Sequence, residues 1–221
     1  MKTIYVALLG LLFTTASCVE AVDTNVPAEI NQIITQIDAL PMESLNDGEK
    51  AALVFMREEE KLARDVYDNL FAKWNSNSFN NISASEQSHM DAVLALINKY
   101  GLEDPAADDL PGYFVNPDLQ NLYDDLTETG ALSREEAFKV GAAIEEIDIL
   151  DLMRALETDV DNEDIIFAFD NLLKGSRNHL RSFVVNLSKL GITYTPQYMT
   201  QDAYDVIINT DMERGSGASR G

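Results

Sequence analysis

Apolar residues recur along most of the chain at alternating steps of three and four positions, the spacing of helices with one buried face. Four long segments follow this pattern, at about 47–74, 83–100, 133–155 and 162–190. No stretch alternates with the period of two that a half-buried strand requires. The sequence therefore predicts an all-α fold built on four long helices.

The ends of these segments carry helix signals, and their connections suggest a topology. Ser133 and Glu136 form a capping-box pattern at the start of the third helix, and Gly101 closes the second. The connection over 101–132 is long and contains one short helix, predicted at 118–129. Because a long middle connection can join two helical hairpins, this pattern favours a ferritin-like antiparallel four-helix bundle with a crossover between the second and third helices.

Shorter segments complete the predicted domain. A lead-in helix is expected over 29–39 and a final helix over 201–209, which places the helical domain at 29–210. Residues 18–28 are polar and without period, as a flexible tether would be, and 211–221 reads as a flexible tail.

The N-terminus resembles a bacterial lipoprotein signal over residues 1–17. Lys2 precedes an apolar run too short to span a bilayer, and small residues lead to Cys18, the only cysteine. Lipidation of Cys18 would anchor the protein to the cell envelope, at the periplasmic or the outer surface. Thr15 stands where the usual signal has leucine, and a plain secretory signal cut near Ala16 or Ala21 is the alternative. Both alternatives predict export.

The charge of the chain narrows the set of partners. A formal net charge of −22 argues against nucleic acid and against anionic lipid surfaces, since both require a basic face. The expected membrane contact is therefore the N-terminal lipid alone. A single cysteine leaves no internal disulfide, so the fold must rest on packing or on metal.

Ionisable side chains interrupt the apolar stripes of all four long helices. Burying such charges is costly unless they are paired or bind metal, and the chain's two histidines both lie among them. Four carboxylates with two imidazoles form the ligand set of dinuclear iron and manganese bundles, and zinc is an alternative. The sequence predicts two iron ions as cofactor and the following metal ligands: Glu60, Glu86, His89, Glu145, Asp148 and His179.

Three of these ligands lie in motifs that resemble a known protein class. Glu60-Lys-Leu-Ala-Arg-Asp-Val-Tyr67 and Ser85-Glu-Gln-Ser-His-Met are similar to the first and second helix motifs of rubrerythrin-like proteins. The longer sequence over about 48–198 looks closer to an uncharacterised ferritin-like family of bacteria and archaea. That resemblance implies a fold, and no established activity comes with it.

The fourth helix departs from the rubrerythrin pattern. His179 should follow a glutamate three positions earlier, and the chain has Ser176 there. Asp148, three residues after Glu145 on the same stripe, is predicted to supply the missing carboxylate. If Asp148 faces outward instead, a mononuclear or lopsided site is expected. A second alternative concerns the third helix: if it is rotated by about 100°, Glu146 takes the place of Glu145 as a ligand.

Simpler interpretations compete for other residues of the motifs. Glu86 would serve only as a helix cap if the second helix begins with a capping box at Ser83. Glu58 and Glu59 are expected at the surface, and Tyr67 is expected to be a packing residue.

A dinuclear site of this kind predicts an exported oxidoreductase, ferroxidase-like or peroxidase-like, that acts on ferrous iron, O2 or peroxide. The chain contains no Cys-x-x-Cys motif, so its electrons must come from ferrous iron or from another partner. The alternatives are a non-catalytic metal-capturing lipoprotein and a scaffold lipoprotein with a structural site. A homodimer is compatible with the fold.

Overall fold

The computed structural model describes residues 26–214, with side chains from 29 onward, and within that range it is all-α without strands. This confirms the predicted all-α class. The seven helices of the described range are α1 (Val26–Ala39), α2 (Asp47–Trp74), α3 (Asn77–Tyr100), α4 (Pro117–Gly130), α5 (Arg134–Thr158), α6 (Glu163–Lys189) and α7 (Gln201–Ile208).

The helix boundaries follow local capping chemistry. At the start of α2, Asn46 Oδ1 accepts from the Glu49 backbone N–H at 2.9 Å, and the Asn46 backbone N–H donates to Glu49 Oε2 at the same distance. At the start of α5, the Ser133 hydroxyl accepts from the Glu136 N–H at 3.0 Å. The glycine that ends α3, Gly101, adopts a positive φ of 66°.

The one large boundary difference concerns α3, which begins at Asn77 rather than near Ser83. Phe79 and Ile82 are buried and extend the apolar face of the helix by almost two turns. Ser83 therefore lies inside the helix, where its hydroxyl donates to Asp68. The predicted start of this helix near Ser83 is therefore wrong, and the alternative of a capping box at Ser83 does not hold.

The four long helices pack as two hairpins, α2 with α3 and α5 with α6. The hairpins meet where α2 touches α5 and α3 touches α6. Helix α1 lies on α3 and α6, and α4 lies on α2 and α5, so both short helices bridge the hairpins. One continuous apolar core fills the space between them.

Aromatic rings and one glycine close the core at one level of the bundle. The rings pack in stacked and tilted pairs with centroids 5.0–6.3 Å apart, and they belong to Tyr67, Phe79, Phe138 and Phe183. A Cβ on Gly141 would lie 2.5 Å from the Phe183 ring. Only glycine lets α5 approach α6 this closely here.

Buried carboxylates on the long helices hold the loops in place. Glu58 accepts the backbone N–H groups of Val115 and Asn116, at 2.5 and 3.1 Å, which orders the crossover before α4. Glu146 accepts the Tyr194 hydroxyl at 2.6 Å and three backbone N–H groups of the segment before α7. The surface position predicted for Glu58 is therefore wrong. Both oxygens of Glu146 accept hydrogen bonds from the segment before α7.

The predicted terminal segments lie largely beyond this range. The signal over 1–17, Cys18 and the first part of the 18–28 tether are outside the described residues, as is the tail after 214. Glu213, within the predicted tail, pairs with Arg177 at 2.5 Å and with Arg181 at 3.2 Å. Within the described residues, no helix combines the length and apolarity needed to cross a bilayer.

Candidate metal centre

Five of the six predicted ligands converge between the four long helices. Glu60, Glu86 and His89 offer donor atoms that all lie within 4.8 Å of one another, and Glu86, Glu145 and His179 form a second such group. Glu86 belongs to both groups. Because α2, α3, α5 and α6 each contribute at least one of these residues, only the assembled bundle creates the cluster.

The two carboxylate oxygens of Glu86 each face one histidine. Glu86 Oε2 lies 2.8 Å from His89 Nδ1, and Glu86 Oε1 lies 2.8 Å from His179 Nδ1. His89 Nδ1 is also 3.1 Å from Glu60 Oε2, and His179 Nδ1 is 3.5 Å from Glu145 Oε2. The geometry is that of a central carboxylate with an imidazole and a second carboxylate on either side.

Several of these atoms are close without being hydrogen-bonded. Glu86 Oε1 and His179 Nδ1 have no hydrogen-bond partner among the described residues although they lie 2.8 Å apart, and Glu60 Oε1 has none either. Two ligands at right angles, each about 2.1 Å from one ion, would lie roughly 3 Å apart. The short distance between Glu86 Oε1 and His179 Nδ1, without a hydrogen bond between them, is therefore the distance expected for two ligands of one shared cation.

Neighbouring hydroxyl groups orient the cluster from outside. The Tyr67 hydroxyl donates to Glu145 Oε1 at 2.5 Å, so this residue contacts the site in addition to packing in the aromatic core. Ser85 Oγ lies 3.0 Å from His179 Nε2, on the ring edge that faces away from Glu86. Contacts of this kind set the tautomer and the direction of a metal-binding histidine.

The cluster is closed on its carboxylate side and slightly open on its histidine side. Glu60, Glu86 and Glu145 are at most 2% exposed, whereas His89 and His179 are each 9% exposed. Both imidazoles line a cleft of about 360 Å³ between α1, α3, α6 and the segment near 213–214. Solvent and small molecules would therefore approach along the outer edges of the imidazoles.

Charges within the cluster perturb one another strongly. Burial raises the pKa of Glu60 to about 7, although His89 opposes this, and burial and Glu86 raise the pKa of Glu145. Burial also opposes ionisation of Glu86, yet the charges of His179 and His89 hold its pKa well below the usual range. Without a cation, the cluster retains protons that a bound metal ion would displace.

His179 gives a pH prediction for the metal-free protein. Burial would lower its pKa, but Glu86 and Glu145 raise it from 6.5 to about 10. Folding then favours the protonated imidazole. The contribution of His179 to the free energy of unfolding is therefore complete below the unfolded pKa of about 6.5 and is lost as pH rises toward 10.

Chemical denaturation of the protein in the presence of a chelator should therefore show a free energy of unfolding that falls as pH rises across this range. His179→Gln should flatten the slope, and an unchanged slope in that variant would contradict the assignment.

Asp148 lies beside the cluster but in neither ligand group. It is 5% exposed, its Oδ2 accepts from Ser176, and its Oδ1 has no partner among the described residues. Ser176 occupies the position where the rubrerythrin pattern has a glutamate, and it contacts Asp148, the residue predicted to supply the missing carboxylate. Ligation by Asp148 stays a prediction.

Three alternatives from the sequence are resolved by these positions. Glu86 contacts both histidines from the middle of α3, so it is not a helix cap. Glu145 faces the histidines while Glu146 points toward the C-terminal segment, so helix α5 is not rotated. The surface position predicted for Glu59 is wrong, because the residue is only 4% exposed.

Gly175 lies next to the candidate site, and the sequence did not single it out. The edge of the His89 ring lies against the backbone of α6 at this residue, where an added Cβ would overlap Nε2 and come within 2.6 Å of Cε1. A glycine inside a strong helical pattern is a signal for such a close approach. The sequence does not say which side chain requires the space.

Comparisons with known proteins identify relatives that cover most of this chain. The model of an uncharacterized protein domain, DUF2202, matches residues 49–211. Uncharacterized protein MJ0754 from Methanocaldococcus jannaschii is 49% identical over 183 residues, which make up 83% of this chain and 98% of that protein. The crystal structure of hypothetical protein MJ0754 from Methanococcus jannaschii DSM 2661 matches with a TM-score of 0.77, over 79% of this chain and 99% of the other. The chain therefore belongs to the DUF2202 family.

Proposed function

We propose that this chain is a ferritin-like metal protein that holds two iron or manganese ions between its four long helices. The support for the ferritin-like topology is the pair of hairpins, joined by a long connection that carries α4. Glu60 and His89 would hold one ion, Glu145 and His179 the other, and Glu86 would bridge them.

The observation that carries this proposal is the position of Glu86. Each of its oxygens lies 2.8 Å from the Nδ1 atom of a different histidine, and each histidine has a further carboxylate within 3.5 Å. Two divalent ions need such bridging negative charge because they repel each other. Three carboxylates with two imidazoles form an oxygen-rich donor set that suits iron and manganese, with zinc as an alternative.

We infer an oxidoreductase role for this site, of the ferroxidase or peroxidase kind. When bound, a pair of iron ions would supply the electrons that reduce O2 or peroxide. The protein's own residues hold the carboxylates away from bulk water, and Tyr67 fixes the direction of Glu145 through its hydroxyl. The histidine-lined cleft provides the approach for a small oxidant.

The test is metal content after anaerobic loading with ferrous iron, in the wild type and in a His89→Ala/His179→Ala variant. We expect about two equivalents per chain in the wild type and almost none in the variant. The exposed Glu128, on α4, offers a matched control in Glu128→Gln, which should bind as the wild type does. A wild type that binds no iron would refute the proposal.

A second measurement separates catalysis from storage or capture. If the site turns over, the protein should oxidise successive additions of ferrous iron when O2 or peroxide is present. Tight binding without turnover would favour the alternative, a metal-capturing or scaffold lipoprotein. That alternative draws support from the single cysteine, since the chain has no Cys-x-x-Cys pair to bind an electron-transferring iron.

We also propose that the protein is exported and anchored through Cys18, on the N-terminal pattern alone. In a bacterial host, the wild type should fractionate with membranes and release into detergent. Cys18→Ala should move it to the soluble fraction or block its processing. Recovery of both forms in the soluble fraction, with identical masses, would contradict lipid anchoring.

A further inference from the structure

The segment that follows α7, residues 209–214, lies against α6 and forms one wall of the histidine-lined cleft. Glu213 and Arg214 line this cleft together with both imidazoles. Every residue of the segment is exposed except Glu213, which is half-buried, and none belongs to the apolar core. Its one large apolar residue, Met212, is 48% exposed. Burial of apolar surface therefore does not hold this wall in place.

Glu213 is held instead by three polar side chains of α6. Its carboxylate pairs with Arg177 at 2.5 Å and with Arg181 at 3.2 Å. Its main chain is bonded on both sides to one amide: the Glu213 N–H donates to Asn178 Oδ1 at 2.9 Å, and Asn178 Nδ2 donates to the Glu213 carbonyl at 3.0 Å. Because the three partners flank His179 in sequence, Glu213 ties the wall to the stretch of α6 that carries one proposed ligand.

The two ends of the segment are attached with unequal strength. At its start, the buried Arg181 donates to the Ile207 carbonyl at 2.9 Å and to the Thr210 hydroxyl at 2.8 Å. At its other end, the Arg177 and Glu213 side chains are 26% and 32% exposed, so water competes for their ion pair. Segments with few buried apolar contacts open far more easily than the whole fold does. Opening of this wall is therefore expected to begin at Glu213.

We propose that Glu213 holds a movable wall of the cleft closed and thereby determines which molecules reach the imidazoles. With the wall closed, His89 and His179 are each 9% exposed. These narrow edges admit molecules of the size of O2 or peroxide, whereas larger molecules need the wall to move. The inference rests on the proposed function, since the histidines concerned are ligands of the proposed metal pair, and it adds a residue that sets the size limit of their access.

The experiment is modification of the metal-free full chain with diethyl pyrocarbonate, a reagent larger than O2 or peroxide that acylates imidazole nitrogens. Since the chain has only two histidines, peptide mass spectrometry follows each of them separately. We expect Glu213→Gln to speed the modification about tenfold, and hydrogen exchange over 209–213 to accelerate with it.

The matched control is Glu29→Gln, which removes the same charge from another wall of the same cleft. Glu29 lies on α1, 3.7 Å from Lys174, and its side chain is 53% exposed. Its replacement should leave the modification rate as in the wild type. An equal acceleration in both variants would mean that charge alone changes the reactivity of the imidazoles, and it would overturn the inference.

Two further outcomes would also overturn it. One is a wild-type modification rate in Glu213→Gln, and the other is faster hydrogen exchange without faster modification, which would make Glu213 a purely structural attachment. If circular dichroism shows that Glu213→Gln does not fold, Arg177→Gln replaces it, and an acceleration of about threefold is expected because Arg181 remains as a partner. The labelling uses metal-free protein, so a wild type that binds no iron refutes the metal pair and leaves this test intact.

Discussion

Asp65→Ala is expected to lower the free energy of unfolding by about 3–5 kcal/mol, because it leaves the buried Lys61 ammonium without its carboxylate partner, while Arg64 keeps its pair with Asp109. Asp65 Oδ2 lies 2.5 Å from Lys61 Nζ, and Asp65 Oδ1 lies 2.8 Å from Arg64 Nη2. The Lys61 and Asp65 side chains are only 2% and 3% exposed. Asp65 also accepts the Gly112 N–H at 2.8 Å, so the crossover loses an attachment at the same time.

Urea denaturation of the metal-free protein measures this effect, and the same helix provides the control. Lys50 and Asp47 form a pair at 3.0 Å in which the Asp47 side chain is fully exposed, so Asp47→Ala should change stability little. The double variant Lys61→Met/Asp65→Leu should recover much of the loss, since it removes both buried charges. An Asp65→Ala protein as stable as Asp47→Ala would show that the buried pair contributes nothing.

Gly175→Ala is expected to weaken metal binding by about 10- to 100-fold while leaving the ligands themselves unchanged. The new Cβ would overlap the outer edge of the His89 ring. Since Glu60 and Glu86 hold the other edge at 3.1 and 2.8 Å, the ring cannot shift without changing those contacts. Alanine favours helix more than glycine does, so a loss cannot come from reduced helix propensity.

Ferrous and manganous titrations of Gly175→Ala measure the affinity, and Gly48→Ala is the control. A Cβ on Gly48, near the start of α2, comes no closer than 3.1 Å to its nearest neighbour, Asn46, and meets neither histidine. Gly48→Ala should therefore bind metal as the wild type does. Equal affinities in the two variants would show that His89 is free to move and that its packing on α6 does not set the site.

The local pattern of the chain was enough to predict the helices and much of the candidate site. Apolar spacing predicted the bounds of α2 correctly, and capping residues predicted the start of α5, because both signals act within a few residues. The same spacing placed Glu86 and His89 on one face, where the structure has their atoms 2.8 Å apart. Helix α3 was predicted too short because its first turns carry few apolar residues.

The sequence by itself determined the all-α class, the long helices and five polar positions that converge, since a helix repeats its faces at a known period. Only the tertiary structure decided where the glutamates next to these positions lie. Glu58 and Glu146 bind loops distant in sequence, and Glu59 lies buried next to Glu60. Adjacent residues of a helix point in directions that differ by about 100°, so neighbouring glutamates meet different surroundings. The rotation of each helix is set by its packing against the other helices, which the sequence of one segment does not specify.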